Sequence, residues 1–149
     1  MIPQELYEQI LENMPICCLD IIVYRNKKIL LVRRKNKPAK DNWWVLGGRL
    51  LKREKLKEGV KRKVKEEAGI QIDEPEFVGV QEYFSKDSKF DNVRTGTHTI
   101  GLIFKCELKN NQEIKLDSTS SDFKWIDKID EELDDYVKAA LRNSRVFDY

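Results

Sequence analysis

A single histidine, three cysteines and no Cys-x-x-Cys pair are all that 149 residues offer of the softer metal-binding side chains. That excludes a multi-histidine centre and the usual zinc clusters, which need several such residues at fixed spacing. Cys17, Cys18 and Cys106 each stand in an apolar run, where a reduced thiol behaves as a small hydrophobe. No apolar tract is long enough to cross a bilayer. The opening MIPQELYEQILENMP carries acids rather than the basic n-region of a signal peptide. The expectation is therefore a cytoplasmic protein with no membrane partner. Repeats, linkers and low-complexity segments are absent too, so residues 1–149 are expected to fold as one domain, large enough to bury a core without disulfides. Neither charge sign dominates, 28 Lys and Arg facing 26 Asp and Glu. The lysines do cluster between positions 52 and 65, and a basic stripe can follow phosphates. This one lacks interleaved aromatics and no nucleic-acid module signature accompanies it, so it reads as a solvated helix face with no nucleic-acid partner.

The remaining pattern alternates helices and strands. The first dozen residues predict a short amphipathic helix that ends before Pro15, because the residue preceding proline is pushed out of the α region. Residues 16–24 and 29–34 read as a hairpin around the polar turn 25–28, with Asp20 the one charge inside an apolar strand. Such a carboxylate either faces solvent or belongs to a site. A short strand is expected in NWWVLGG, where Trp43 and Trp44 anchor core and loop. Leu56, Val60, Val64 and Ala68 recur every fourth residue and predict a helix over 53–68 with one narrow buried stripe. Gly69 suits the position after its last turn, where a positive φ is cheap. Strands are expected at 77–84, 97–108 and 123–126, and a last helix at 130–142. His98 lies in one of these strands and reads as a packed residue. The fold class is α+β, a mixed sheet between helices.

One stretch, GGRLLKREKLKEGVKRKVKEEAGI at residues 47–70, does not follow helix chemistry. Two carboxylates, Glu66 and Glu67, close a helix at the end where the macrodipole disfavours negative charge. Side by side and facing a Gly-Gly turn, they make an oxygen-rich pocket suited to Mg²⁺ or Mn²⁺, ions that usually arrive with a substrate's phosphates. Arg49, directly after the glycines, is placed to meet a phosphate bidentately. Glu58, Arg62 and Glu66 follow at intervals of four, on one helical face.

The run resembles the signature of the Nudix hydrolases: a glycine, five residues, a glutamate, seven residues, then Arg-Glu-apolar-x-Glu-Glu-x-Gly-apolar. The matching positions are Gly48, Glu54, Arg62, Val64, Glu66, Glu67, Gly69 and Ile70, and Lys63 stands where the family has glutamate. The resemblance implies a Nudix α/β/α sandwich and Mg²⁺-dependent attack on a nucleoside-diphosphate-linked compound. Carried onto this chain, the Gly47 carbonyl, Glu66 and Glu67 would hold the metal, while Glu54 and Arg62 would brace the helix. A narrower similarity runs through QELYEQI, PICCLDIIVY, LLVRRKNKPAKDNWWVLGGR, FVGVQEYF, THTIGLIF, SDFKWI and NSR, and is to the GDP-mannose mannosyl hydrolase branch. That branch releases GDP and the free sugar by attack at the anomeric carbon. By this similarity Arg34 and Arg49 would grip the diphosphate, Asp20 would support recognition of sugar or diphosphate, Tyr7 would lie near the base, and the chain would form a homodimer.

The chain also departs from that branch. Ser120 stands where its general base is a histidine, and Tyr83 replaces another histidine, whereas the branch usually loses one glutamate of the pair that this chain keeps whole. A serine without an activating histidine is a poor base near neutrality. Lys63, three and four residues before the glutamates, sets a cation within reach of both and weakens their attraction for Mg²⁺. Asp117, Asp122 and Glu113 are the candidates for a replacement base. Two other functions stay open: phosphoanhydride cleavage of an ADP-ribose-like compound or nucleoside triphosphate, and a catalytically weak nucleotide-sugar binding module.

Overall fold

The computed structural model of the chain describes residues 1–148. Helix α1 (Gln4–Asn13) precedes β1 (Ile16–Arg25) and β2 (Lys28–Arg34), which turn on Asn26 and Lys27. Both turn residues have positive φ, 52° and 59°, the requirement of the two-residue turn that matches strand twist. The expected single strand in NWWVLGG is two short ones, β3 (Trp43–Trp44) and β4 (Leu46–Arg49). Helix α2 (Leu56–Ala68) follows, then β5 (Glu76–Ser85), β6 (Thr97–Glu107), β7 (Ser120–Ile126) and α3 (Asp135–Ser144).

Both later helices start after the positions expected from periodicity, each for a local reason. Arg53 takes a left-handed φ of 66°, and the Leu51 N–H donates to Glu54 Oε1 at 3.1 Å, so a tight turn holds 51–54 out of the helix. At α3 the Asp134 carboxylate caps the Tyr136 N–H at 2.8 Å and fixes the first turn there. Gly69 closes α2 with φ 67°, as its identity predicts.

The hairpin survives only next to its turn, at Tyr24↔Ile29 and Arg25↔Lys28. Beyond it the two strands part. β1 pairs along Cys18–Ile21 with β4, antiparallel, and along its whole length with β6, parallel, while β2 pairs with β7 and β3. Strand β1 is thus the central strand of a mixed sheet, flanked on both sides by chain distant in sequence. Alternation along it divides the core. Leu19, Ile21 and Val23 pack with Val60, Val64 and Ala68 of α2. Ile22, with Leu31 and Ile103, packs with Val137, Ala140 and Leu141 of α3. The result is the expected helix–sheet–helix sandwich.

The basic run does not form one phosphate-tracking stripe. Lys57 and Lys61 point outward to Glu74, at 2.8 and 3.7 Å, whereas Lys63 turns inward.

Candidate active site

Where β1 leaves β2 and takes up β4, the sheet opens into a cavity of about 280 Å³. Its walls carry Tyr7, Asp20, Arg34, Arg49, Lys63 and Glu67. Asp20 shares the β1 face of Ile22, toward α3, and is 8 % exposed. Burial pushes its carboxyl up to about 6, against the opposing pull of the Tyr136 hydrogen bond and the Arg34 charge. The Tyr136 hydroxyl donates to Asp20 Oδ2 at 2.6 Å. Burial and that carboxylate raise the tyrosine in turn, so it stays a donor. Tyr136 stacks on Trp44 with centroids 5.9 Å apart, and Tyr83 meets both rings edge-on, at 5.3 and 5.4 Å. This aromatic wall packs around the Tyr136 ring that donates to Asp20.

Gly101 of β6 lies directly beneath the pair. A Cβ there would run into both the Tyr136 hydroxyl and Asp20 Oδ2. Gly101→Ala is therefore expected to break this hydrogen bond and destabilise the fold by about 1–2 kcal/mol through overpacking; thermal melts of the two proteins check it, and an unchanged midpoint would mean the pair yields freely.

Two arginines face the same space. Arg34, whose charge burial disfavours, anchors its Nε on the Pro38 carbonyl at 2.8 Å and lies 5.9 Å from the Trp44 ring centre. The β2–β7 register shifts between Arg33 and Arg34, and Arg33 is left exposed. The Arg49 guanidinium stands 5.2 Å over the Tyr7 ring, a cation–π contact that holds it at the cavity. Tyr7 itself is raised by burial, with Arg49 opposing.

Behind this wall Arg62 organises the loop and helix. It grips Glu54 bidentately, from Nε at 2.6 Å and Nη2 at 2.9 Å. Its Nη2 also donates to the Arg49 carbonyl at 3.2 Å and its Nη1 to Glu66 at 3.1 Å. These bonds hold the Glu54 carboxyl below its ordinary range. One guanidinium thereby ties the loop, the strand that carries Arg49 and the helix end that carries the acidic pair.

The pair itself is already neutralised. Glu67 accepts from the Gly47 N–H on Oε2 at 3.3 Å and from Lys63 Nζ on Oε1 at 3.0 Å. The same ammonium is 3.6 Å from Glu66 Oε2. Burial raises Glu67, with Lys63 opposing. Family chemistry would have Gly47, Glu66 and Glu67 converge on a divalent ion, and as placed they do not fit one, because the Lys63 ammonium holds the space between the carboxylates. Among the described residues no cluster of three or more His, Cys, Asp or Glu side chains is arranged to hold a metal.

The structure brings together Tyr7, Asp20, Arg34, Gly47, Arg49, Lys63, Glu67 and Ser120 around one cavity, and sets Glu54, Arg62 and Glu66 against its wall. None of the replacement bases lines it. Asp117 is bound to Thr119, Asp122 is exposed and turns to the Phe123 N–H, and Glu113 is exposed. His98 stacks on Phe84 at 4.3 Å, over a separate open depression between the end of α1 and the tips of β5 and β6. Of the cysteines Cys106 is buried, Cys18 lines the cavity as a thiol that burial pushes up to about 12, and Cys17, expected in the core, is exposed. Tyr136 is the participant that sequence reasoning missed; it belongs to α3, and nothing local links it to Asp20.

Comparison with known proteins agrees with this geometry. Over 140 residues the chain is 28 % identical to the low-salt glycan biosynthesis protein Agl8 of Haloferax volcanii, covering 94 % of this chain and 88 % of that protein. Over 90 residues it is 31 % identical to an ADP-ribose pyrophosphatase of Methanocaldococcus jannaschii, spanning 60 % of this chain and about half of that protein, 49 %. The fold superposes on the crystal structure of a MutT protein from Methanosarcina mazei with a TM-score of 0.73 at 25 % identity, over 92 % of this chain and 99 % of that one. The NUDIX-domain profile matches residues 18–144, from the strand of Asp20 to the end of α3, and the chain belongs to the Nudix hydrolase family.

Proposed function

We propose that residues 1–149 act as one Nudix domain that hydrolyses a nucleoside-diphosphate-linked sugar, with a GDP-sugar such as GDP-mannose as first candidate. The observation that carries this is the convergence of Arg34 and Arg49 on a cavity whose inner end is the Asp20–Tyr136 pair. Two forked cations suit a diphosphate. A buried carboxylate and a phenol, held in place by aromatic packing, suit a hydroxyl-rich ring. The relative named for glycan biosynthesis supports the sugar side. Tyr7, under Arg49 at the cavity mouth, is the residue assigned to the nucleotide base.

Hydrolysis needs a group that takes a proton from water. Asp20 and Glu67 are the two carboxylates among the described residues lining the cavity. Both oxygens of Glu67 are engaged, by Gly47 and Lys63. Asp20, raised to about 6, is ionised at neutral pH and basic enough for the task, so in this reading it is the base and Ser120 is not. Arg34 and Arg49 neutralise the departing diphosphate. Glu54 and Arg62 act behind them, positioning the strand and helix end. Nudix hydrolases generally use Mg²⁺ or Mn²⁺; Gly47, Glu66 and Glu67 are the positions the resemblance assigns to the ion, and here the Lys63 ammonium holds the space between the two carboxylates.

Phosphoanhydride cleavage is favoured instead by the retention of both Glu66 and Glu67 and by the ADP-ribose pyrophosphatase relative. A weak or inactive binding module is favoured by Lys63. A cytoplasmic location, read from the composition, and a homodimer, on the resemblance alone, are part of the proposal; no helix among the described residues is long and apolar enough to cross a membrane. Incubation with GDP-, UDP- and ADP-sugars in ¹⁸O-labelled water, followed by mass spectrometry, separates the three. Label in the free sugar with release of the nucleoside diphosphate is the expected result. Label in a phosphate would instead establish phosphoanhydride cleavage, and tight binding without turnover would leave the binding module.

A further inference from the structure

The side chain of Lys63 is the family position that departs furthest in charge, and the structure shows what it does. It is only 15 % exposed, although lysines of α2 on either side reach solvent. Its stem lies on Gly48, where an added Cβ would meet Cε at 2.7 Å and Nζ at 2.9 Å. A larger residue at 48 would oblige the ammonium end of Lys63 to shift. The bare glycine thus makes a groove that seats the ammonium between Glu66 and Glu67. Around the cavity Arg34, Arg49, Lys63 and Lys89, with Lys37 already paired to Asp91, stand against the two lining carboxylates Asp20 and Glu67. A site that recruits a divalent ion needs an excess of anionic oxygen; this one is cationic before anything binds.

We propose that Lys63 is a built-in replacement for the divalent ion, a specificity-determining cation that neutralises the acidic pair and lets the cavity hold a diphosphate without metal. The proposal rests on the diphosphate reading of the cavity. Its consequence is a hierarchy opposite to the family's ordinary one: weak affinity for free metal, and diphosphate binding that survives chelation. An ammonium and a divalent ion compete for one pair of carboxylates, because the two cations repel at such separations and each weakens what the other gains.

The test has two arms. In the first, Mn²⁺ alone is titrated into the free protein and followed by electron paramagnetic resonance, for wild type, Lys63→Met and Lys63→Glu. Methionine keeps the stem over Gly48 and removes the charge. Wild type is expected to bind Mn²⁺ about tenfold or more weaker than either variant. In the second, GDP is titrated calorimetrically in excess EDTA and then in Mg²⁺. Wild-type affinity is expected to be the same in both within about twofold, and Lys63→Met to lose about tenfold in EDTA. Wild type that binds Mn²⁺ as tightly as Lys63→Met, or that binds GDP only with metal, overturns the proposal, and the wild-type GDP comparison decides even where a variant fails to fold. GDP that binds under neither condition would sink the diphosphate reading, while the Mn²⁺ comparison still decides whether Lys63 holds the ion's place.

Discussion

Replacing Arg62 by methionine is expected to lower the free energy of unfolding by about 2–3 kcal/mol and to remove turnover with it. Methionine preserves most of the buried stem, so the loss is of the guanidinium alone. Three partners are stranded together. Glu54, 12 % exposed at its side chain, keeps only the Leu51 N–H; the Arg49 carbonyl loses its donor; and Glu66 is released from its i−4 partner. An unpaired, largely buried carboxylate costs more than the pair ever contributed, which sets the size of the effect. Because Arg62 holds the Glu54 carboxyl below its ordinary range, this stabilisation is present above the unfolded carboxylate value and is lost as pH falls through the depressed one. Urea unfolding should therefore separate the two proteins widely at pH 7 and much less in strong acid. A gap that is the same at both pH values would show that packing, not the ion pair, was lost. Arg62→Lys, which keeps charge without the fork, should recover only part of the difference.

Part of that network was legible in the sequence: helical spacing puts Arg62 and Glu66 on one face, whereas the place of Glu54 beside Arg62 came from the resemblance alone. The direction of Lys63 was legible for the same reason, three and four residues from its partners. So were the hairpin turn and the Gly69 stop, which depend on a few adjacent residues. The partners of β1 were not legible. Alternation says that a strand has a buried face; it does not say that β6, about eighty residues on, will lie parallel to it, or that β4 will displace β2 along its first half. The same distance hid Tyr136. Asp20 was visible as an anomaly, a charge in an apolar strand, but its donor is 116 residues away and the wall that holds it combines β3, β5 and α3. The three acids proposed as replacement bases were chosen by nearness in sequence to Ser120; Thr119 and Ser120 do line the cavity, but Asp117 and Asp122 spend their carboxylates on local bonds to Thr119 and Phe123.

Asp20→Asn is expected to make the protein more stable and at least about a hundredfold slower. The stability half follows from the sign of the shift. In the folded chain the carboxyl titrates near 6, above its ordinary value of 3.8, because burial penalises the anion more than Tyr136 and Arg34 relieve it. The unfolded chain thus releases its proton first as pH rises, and the folded state loses stability between about pH 4 and 6, with the full penalty present above that window. Two units correspond to about 3 kcal/mol as an upper bound. Asparagine still accepts from the Tyr136 hydroxyl and carries no charge, so the variant should gain about 1–2 kcal/mol over wild type at pH 8 and lose that advantage by pH 4. The activity half follows from the same buried charge. A carboxylate kept ionised while buried is costly to the fold and useful to a reaction that needs a proton acceptor, and wild-type rate should climb through pH 6 as Asp20 ionises. Denaturation curves of both proteins at pH 4, 6 and 8, with turnover measured on the substrate identified by the labelling experiment, check the two halves separately. A variant that is more stable at pH 8 and still turns over would confirm the strain and remove Asp20 from the chemistry, leaving it a recognition group. A gap between variant and wild type no larger at pH 8 than at pH 4 would mean that Tyr136 and Arg34 already compensate the anion in full.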